Sequence, residues 1–277
     1  MGKLKLGLQV WSVEPNLIED MEAALKEIKE MGYDYVEFGN FYGRTAEELS
    51  ALLKKYELQC ISVHQPYAPI LENPEEKIAY YKTLGVKYCA IPWMGMENHK
   101  GNPGYEQAVK DIIQVGTLLK EAGIQLLYHN HEFEFLKYEG KYLLDWLLEA
   151  VPEELIQPQL DTCWIHYAGY DPAEYIRAKA GRITAIHLKD FVCEKLAGGP
   201  MYELQGLEAG EDLDANRNSN GFEFRPCGQG RQNFPAILKA AEEVGVEYVI
   251  VEQDKATTAS PMESVRQSAE YLKSIGV

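Results

Sequence analysis

The stretch VGVEYVIVEQD, residues 244–254, contains the unit from which the fold of this chain follows. A helical segment that begins at Pro235 ends at Val244, and Gly245 can adopt the left-handed conformation that caps a helix. The nearly continuous apolar run that follows is typical of a parallel strand buried on both faces. The unit ends in two carboxylates, Glu252 and Asp254.

The same unit occurs eight times along the chain. Between the apolar runs lie amphipathic helical segments; in one of them, Leu17, Met21, Leu25 and Ile28 recur at helical spacing. The candidate strands are residues 4–11, 33–40, 58–65, 86–94, 124–131, 156–164, 183–191 and 246–254. Eight such units predict a (β/α)8 TIM barrel formed as one domain by residues 1–277. An open, doubly wound sheet is the alternative, although no GxGxxG loop follows the first strand.

One connection is much longer than the others. Residues 192–230, rich in glycine, asparagine and acidic residues, follow the seventh candidate strand. In a barrel this insertion would lie on the active-site face, so we expect a long loop or lid there. A surface insertion without order is the other interpretation.

Composition excludes some classes of partner. The 277 residues carry a formal net charge of −16, which argues against nucleic acid and, more weakly, against anionic membrane surfaces. The five cysteines are scattered without a CxxC pair, which favours a reduced, cytoplasmic setting. There is no run of 18 apolar residues and no signal-peptide pattern. We therefore expect a cytoplasmic protein with a small-molecule partner, and a homo-oligomer is possible.

Polar side chains collect where the candidate strands end, which is where a barrel places its chemistry. They are Gln9, Trp11, Glu37, Asn40, His64, Gln65, Trp93, His129, His131, Glu134, Asp161, His187, Lys189, Glu252 and Asp254. Several carboxylates converging in a buried site would repel one another, and a divalent cation offsets that cost. The candidate ligands are Glu134, Asp161, His187 and Glu252, a set that suits Mn, Mg, Co or Zn.

Each of these residues also has an ordinary interpretation. A strand end can simply be solvated, and Asp161-Thr162 could be a helix-cap signal. In LLYHNHEFEF, residues 126–135, His129 and His131 share one strand face, whereas Glu132 and Glu134 share the other. Strand parity therefore leaves the choice between Glu132 and Glu134 open.

Four motifs, YHNHEFEF, LDTCW, IHLKDF and VEQD, occur in this order at strand ends. As a set they resemble the sugar phosphate isomerase/epimerase-like proteins of the xylose-isomerase-type barrel superfamily. The resemblance runs almost end to end and favours Glu134 as the ligand in the first motif. It implies that Glu134 and Glu252 also act as acid and base, that His131 is an acid/base residue facing the substrate, and that His64 and Lys189 line the sugar pocket.

The expected function is a metal-dependent isomerase or epimerase that acts on a ketose or keto-sugar by proton transfer through a metal-stabilised enediolate. Lys189 could bind the oxyanion. The candidate substrate-binding residues are His64, Trp11, Glu37, Trp93 and Arg225. Arg225 and Arg231 could reach a phosphate or be solvated loop residues, and we expect an unphosphorylated substrate.

Three other functions stay open. The same chemistry would serve a lyase, either inosose-dehydratase-like or eliminating a group from a keto-glycoside. A non-catalytic sugar-binding barrel is a further alternative. A nuclease is disfavoured by the acidic composition.

Overall fold

A computed structural model describes residues 4–197 and 221–277 of the chain. Its centre is a closed barrel of eight parallel strands in sequential order, in which the last strand pairs with the first. The strands are β1 (Lys5–Gln9), β2 (Tyr35–Phe38), β3 (Gln59–His64), β4 (Tyr88–Ile91), β5 (Gln125–His129), β6 (Ile156–Asp161), β7 (Ala185–Leu188) and β8 (Tyr248–Val251). The predicted TIM barrel is confirmed, and the alternative of an open sheet is wrong.

Helices surround the barrel. They are α1 (Glu14–Glu30), α2 (Ala46–Lys55), α3 (Tyr67–Glu72), α4 (Pro74–Leu84), α5 (Tyr105–Glu121), α6 (Leu143–Ala150), α7 (Thr162–Tyr167), α8 (Pro172–Ala178), α9 (Phe234–Val244) and α10 (Pro261–Ser274). Helix α2 begins with a capping box, in which the side chains of Thr45 and Glu48 each accept a hydrogen bond from the backbone N–H of the other. Short 3₁₀ turns follow three strands, at Val10–Val13, Met96–Asn98 and Phe133–Phe135.

The structure differs from the sequence prediction at two places in the chain. Helices α3 and α4 were not predicted, although α4 begins at Pro74 and ends at Leu84, and is capped by Gly85 with a φ of +76°. Residues 156–164 were predicted as one strand, but helix α7 begins at Thr162. The strand ends because the Asp161 side chain accepts hydrogen bonds from the backbone N–H groups of Cys163 and Trp164.

Apolar side chains fill the barrel interior at the amino-terminal ends of the strands. Tyr248 lies at the centre of this layer, with its ring centroid 5.1 Å from that of Tyr35 and 5.9 Å from that of Tyr88. The layer is completed by Ile61, Ala90, Leu127, Ala185 and Ile250. Because this end is packed, the polar inward-facing side chains are confined to the carboxyl ends of the strands, where the barrel can open to a ligand.

The predicted lid lies mostly outside the described residues. The described parts of the insertion form an antiparallel ribbon between Asp190–Val192 and Glu223–Arg225. A second ribbon joins Lys137–Tyr138 to Lys141–Tyr142 after β5. The five cysteines all lie in the described residues, and none of them forms a disulfide. Across residues 4–197 and 221–277 there is no helix of the length and apolarity that spanning a bilayer requires.

Candidate active site

Four side chains from consecutive strands meet at the carboxyl end of the barrel. His129, Asp161, His187 and Glu252 come from or directly follow β5, β6, β7 and β8. Each offers one nitrogen or oxygen atom, and these atoms all lie within 4.8 Å of one another. All four residues are buried. We call these residues the four-residue cluster.

The two carboxylate oxygens of Asp161 have different roles. Oδ1 caps α7, with the N–H of Cys163 at 2.8 Å and that of Trp164 at 3.4 Å. Oδ2 is buried and accepts no hydrogen bond, although the Nζ atom of Lys189 lies 3.2 Å away. The cap interpretation of Asp161 and its membership of the cluster are therefore compatible. The cap fixes the carboxylate so that Oδ2 faces the other members.

His187 lies between two carboxylates. Its Nδ1 is 2.8 Å from Glu252 Oε2, and its Nε2 is 2.7 Å from Glu37 Oε1. Burial alone would lower the pKa of His187, but the two carboxylates raise it to about 10. Nδ1 of His187 therefore faces the other cluster residues, whereas Nε2 is bonded to Glu37.

Glu37 is fully buried beneath the cluster and bonds to several of the surrounding polar side chains. Its Oε1 also lies 3.0 Å from His64 Nε2 and accepts from Gln9 Nε2 at 2.9 Å, and its Oε2 accepts from Gln159 Nε2 at 2.7 Å. Burial alone would raise the pKa of Glu37, but the imidazoles of His64 and His187 hold it well below its usual range. We expected Glu37 to bind substrate; instead it is enclosed by side chains and does not line the cavity.

Lys189 extends from just beyond β7 into the same region. Its Nζ atom is 3.0 Å from Glu252 Oε2, 3.2 Å from Asp161 Oδ2 and 3.0 Å from Asp254 Oδ1. Burial would lower the pKa of Lys189, but these carboxylates raise it well above its ordinary value. The buried ammonium therefore stays charged and partly neutralises the acidic residues around it.

Glu134, which the resemblance favoured as a ligand, lies outside the four-residue cluster. The chain leaves β5 after His129 and turns through the 3₁₀ segment Phe133–Phe135, which brings Glu134 into contact with Tyr128 of the strand. Its carboxylate accepts hydrogen bonds from the hydroxyl of Tyr128 and the N–H of His131, each at 2.7 Å. Burial raises the pKa of Glu134 to about 8. His129, on the inward face, takes the place in the cluster that we had expected Glu134 to occupy.

A cavity of about 410 Å³ opens above the cluster. It is lined by Gln9, Trp11, Gly39, His64, Pro66, Pro92, Trp93, His129, His131, Lys189, Glu252 and Asp254. Trp11 and Trp93 are 43% and 58% exposed, which leaves their ring faces available to a ligand. Of the residues we expected to contact substrate, His64, Trp11, Trp93, His131 and Lys189 lie in this wall.

Arg225 does not line the cavity. Its Nη2 pairs with Glu223 at 2.6 Å, and its Nη1 donates to Thr257 Oγ1 at 2.9 Å and to the carbonyl of Phe224 at 3.0 Å. The expected role of Arg225 in substrate binding is therefore not supported by its position.

A family model described as xylose isomerase-like TIM barrel matches residues 25–275. The chain belongs to this family. Inosose dehydratases are among its curated relatives: one from Mesomycoplasma hyopneumoniae is 24% identical and the alignment covers 92% of this chain and 88% of the relative. A second, from Clostridium beijerinckii, is 25% identical over 98% of this chain and 97% of the relative.

Solved structures of similar fold include a sugar phosphate isomerase/epimerase from Parabacteroides distasonis. It is 21% identical, with a TM-score of 0.75 and coverage of 98% of both chains. The protein IOLI, solved with a bound zinc atom, is 15% identical, with a TM-score of 0.68 and coverage of 98% of both chains. At these identities the likeness is one of fold.

The residues of this xylose isomerase-like barrel fit a divalent cation. The cluster combines two imidazoles with two carboxylates, a donor set that borderline divalent ions accept. The buried Oδ2 of Asp161 has the ammonium of Lys189 at 3.2 Å but accepts no well-formed hydrogen bond, so it has a lone pair available for a cation. The cluster could therefore hold a metal ion.

Sequence reasoning placed His129 and Gln9 at strand ends without assigning either of them a role, and it did not single out Gln159. His129 could have been recognised, because it shares the inward strand face with Leu127, a member of the barrel's interior layer. Gln9 and Gln159 gave no signal of their roles. Both are uncharged, and their contacts with Glu37 depend on how the strands are staggered around the barrel.

Proposed function

We propose that this chain is a divalent-metal-dependent enzyme that isomerises or epimerises a ketose or keto-sugar by moving a proton at a carbon next to the carbonyl. The observation that carries the proposal is the four-residue cluster at the floor of a cavity large enough for a sugar. A cation bound there would polarise the carbonyl and stabilise the negative charge that follows proton removal.

The side chains of the cavity supply the other requirements of this reaction. His131 lies in the wall, where its imidazole can accept the proton from the carbon beside the carbonyl. Return of the proton to the former carbonyl carbon gives an isomer, and return to the opposite face of the original carbon gives an epimer. The main chain of His131 is fixed by its hydrogen bond to Glu134, which keeps the acceptor in position.

A dehydratase is the second candidate, and the position of Lys189 favours it. Its charged ammonium is buried beside the cluster and lines the cavity, so it can donate a proton to a hydroxyl that leaves as water from the carbon next to the deprotonated one. Inosose dehydratases are also among the relatives by sequence. The two candidates share the first step and differ in the fate of that hydroxyl.

The test combines metal analysis with product analysis in D₂O. The metal-loaded protein is incubated with a panel of ketohexoses, ketopentoses and keto-inositols. Deuterium in an isomeric sugar supports the isomerase or epimerase, whereas loss of water supports the dehydratase. If no member of the panel exchanges a proton or reacts, the proposed function is wrong.

A pair of matched variants separates the site from general damage to the fold. Asp161→Asn removes a cluster member that also caps α7, and Asp171→Asn removes the equivalent cap of α8, where Oδ1 accepts from Ala173 and Glu174. We expect Asp161→Asn to abolish exchange and Asp171→Asn to retain it. Equal loss in both variants would contradict a catalytic role for Asp161.

A further inference from the structure

The loop before α9 contains a nest of backbone N–H groups that is filled by the protein's own carboxylate. Gly228 and Gly230 donate to Asp190 Oδ2 at 2.9 and 2.8 Å. Gln232 and Phe191 donate to Asp190 Oδ1 at 3.1 and 2.9 Å. Asp190 is only 1% exposed, so the four donors are fully committed to it.

This loop belongs to the connection between β7 and β8, where TIM barrels often bind a substrate phosphate through backbone N–H groups. In this chain the position is closed to such an anion. A Cβ atom on Gly230 would lie 2.3 Å from Asp190 Oδ1, which shows how closely the loop backbone is wrapped around the carboxylate. The glycine-rich loop therefore has a structural role in which Asp190 replaces an external anion.

The two arginines beside the loop are also bound to groups of the protein itself. Arg225 is held by Glu223 and Thr257 as described above. Arg231 donates through Nη1 to the carbonyl oxygen and to the sulfur of Cys193, each at 3.1 Å. Neither arginine lines the cavity.

The charge of the cavity opposes an anionic ligand. Lys189 is the only lysine or arginine among the described residues that line it, and its ammonium contacts three carboxylates. Four carboxylates, of Glu37, Asp161, Glu252 and Asp254, surround this region, so one ammonium and one divalent cation leave an excess of negative charge when the imidazoles are neutral. A negatively charged group on the substrate would be repelled by this excess charge.

The mouth of the cavity offers apolar surface instead of cations. Trp11 and Trp93 are the most exposed large residues of the lining, and Pro66 and Pro92 lie beside them. Aromatic faces pack against the C–H groups of a sugar ring and provide no favourable partner for a phosphate or carboxylate.

We propose that the substrate is an electrically neutral carbohydrate, a keto-sugar or keto-polyol that carries neither a phosphate nor a carboxylate. This inference rests on the proposed function, because it concerns the ligand of the same cavity. The name of the structurally similar sugar phosphate isomerase/epimerase refers to a phosphorylated sugar. In this chain, by contrast, the backbone N–H groups that could bind a phosphate are occupied by Asp190.

The test measures binding separately from turnover. Tryptophan fluorescence, which Trp11 and Trp93 should report, is titrated with a ketohexose and its 6-phosphate and with a keto-inositol and its monophosphate, on metal-loaded protein. We expect the neutral member of a pair to bind roughly 100-fold more tightly, because a dianion meets the excess negative charge at short range. Inorganic phosphate should not compete with it.

The outcomes distinguish the two proposals. Equal or tighter binding of a phosphorylated member, or no binding by any neutral member, would overturn the inference about charge. Tight binding of a neutral member without proton exchange in D₂O would overturn the proposed function and leave the inference standing.

A variant tests the electrostatic cause. Asp254→Asn removes one of the carboxylates that line the cavity, and we expect it to reduce the discrimination against the phosphate ester by about tenfold. Asp145→Asn, which loses a comparable contact with Lys179 on the outside of the barrel, is the matched control and should leave the discrimination unchanged. Unchanged discrimination in Asp254→Asn would show that the charge of the cavity is not the cause.

Discussion

The replacement Glu37→Gln tests whether a carboxylate outside the four-residue cluster controls the metal affinity of the cluster through its contact with His187. Glu37 accepts the N–H of His187 at Nε2, which leaves Nδ1 of the same ring facing Glu252. A carboxylate in this position fixes the orientation of a metal-binding imidazole and increases its basicity. We therefore expect the variant to weaken metal binding without altering any of the four ligands.

The size of the effect follows from the contacts that an amide cannot reproduce. If the amide oxygen faced His187, its nitrogen would meet Gln159 Nε2, which now donates to Glu37 Oε2 across 2.7 Å. Gln159 could avoid this contact only by flipping, and its Oε1 already bonds His64 Nε2 at 2.7 Å. One donor is therefore left facing another, and the charge is lost as well. Such a partner is worth about 10–100-fold in metal affinity, or roughly 1.4–2.7 kcal/mol.

Isothermal titration of metal-depleted protein with Mn²⁺ or Zn²⁺ measures this change directly. Glu247→Gln is a suitable control, because Glu247 immediately precedes β8 at the opposite end of the barrel and pairs with Lys5. The thermal unfolding of both metal-free variants shows whether the fold is intact. If Glu37→Gln folds normally and binds metal within about twofold of the unmodified protein, the positioning role assigned to Glu37 from its contacts is refuted.

Three further outcomes are expected. His129→Ala should lower the metal affinity more than Glu37→Gln does, whereas Glu134→Gln should keep the metal stoichiometry unchanged; inductively coupled plasma analysis after dialysis distinguishes them, and the reverse result would restore Glu134 as a ligand. In the metal-free protein His187 has a pKa of about 10, so its proton must leave when Nδ1 binds a cation. The metal affinity should therefore rise by up to about tenfold per pH unit between roughly pH 6 and 8, and calorimetry in buffers of different ionisation enthalpy should detect the released proton. Burial raises the pKa of Glu134 from 4.5 to about 8, so its contribution to stability is complete below the ordinary value and is lost as the pH rises through 8. Urea unfolding of metal-free Glu134→Gln should lack this part of the pH dependence, and an unchanged profile would show that Glu134 is ionised in the fold.

The fold could be predicted because its signal is repeated and local. Runs such as VEYVIV and LQCISV are apolar over the length of a strand, and glycines such as Gly85 and Gly245 occupy the left-handed positions that end helices. Closure of the barrel follows from the number of units. The boundary of α7 was predicted less well, because a strand that continues directly into a helix has no glycine between the two.

The site could be predicted only where a strand remains regular up to the functional residue. Asp161 lies within its strand, His187 lies within β7, and Glu252 directly follows β8, so their inward direction follows from alternation along a strand. Glu134 is five residues beyond the end of β5 and lies inside a 3₁₀ turn, where side chains no longer alternate as they do along a strand. The alternation of side chains predicts which way a residue points only within a strand, and it no longer applies where the chain turns.

The exchange of Glu134 for His129 also changes which metal ions suit the site. Three carboxylates and one imidazole would favour hard ions such as Mg²⁺, whereas two imidazoles and two carboxylates favour Zn²⁺, Co²⁺ or Mn²⁺. Nitrogen ligands also reduce the negative charge of the first coordination shell by one unit. Because Asp161 and Glu252 already contact the ammonium of Lys189, a third acidic ligand is not needed to balance its charge. The buried lysine and the second imidazole are thus parts of one charge arrangement, in which a divalent ion bound at the cluster would share two carboxylates with the ammonium of Lys189.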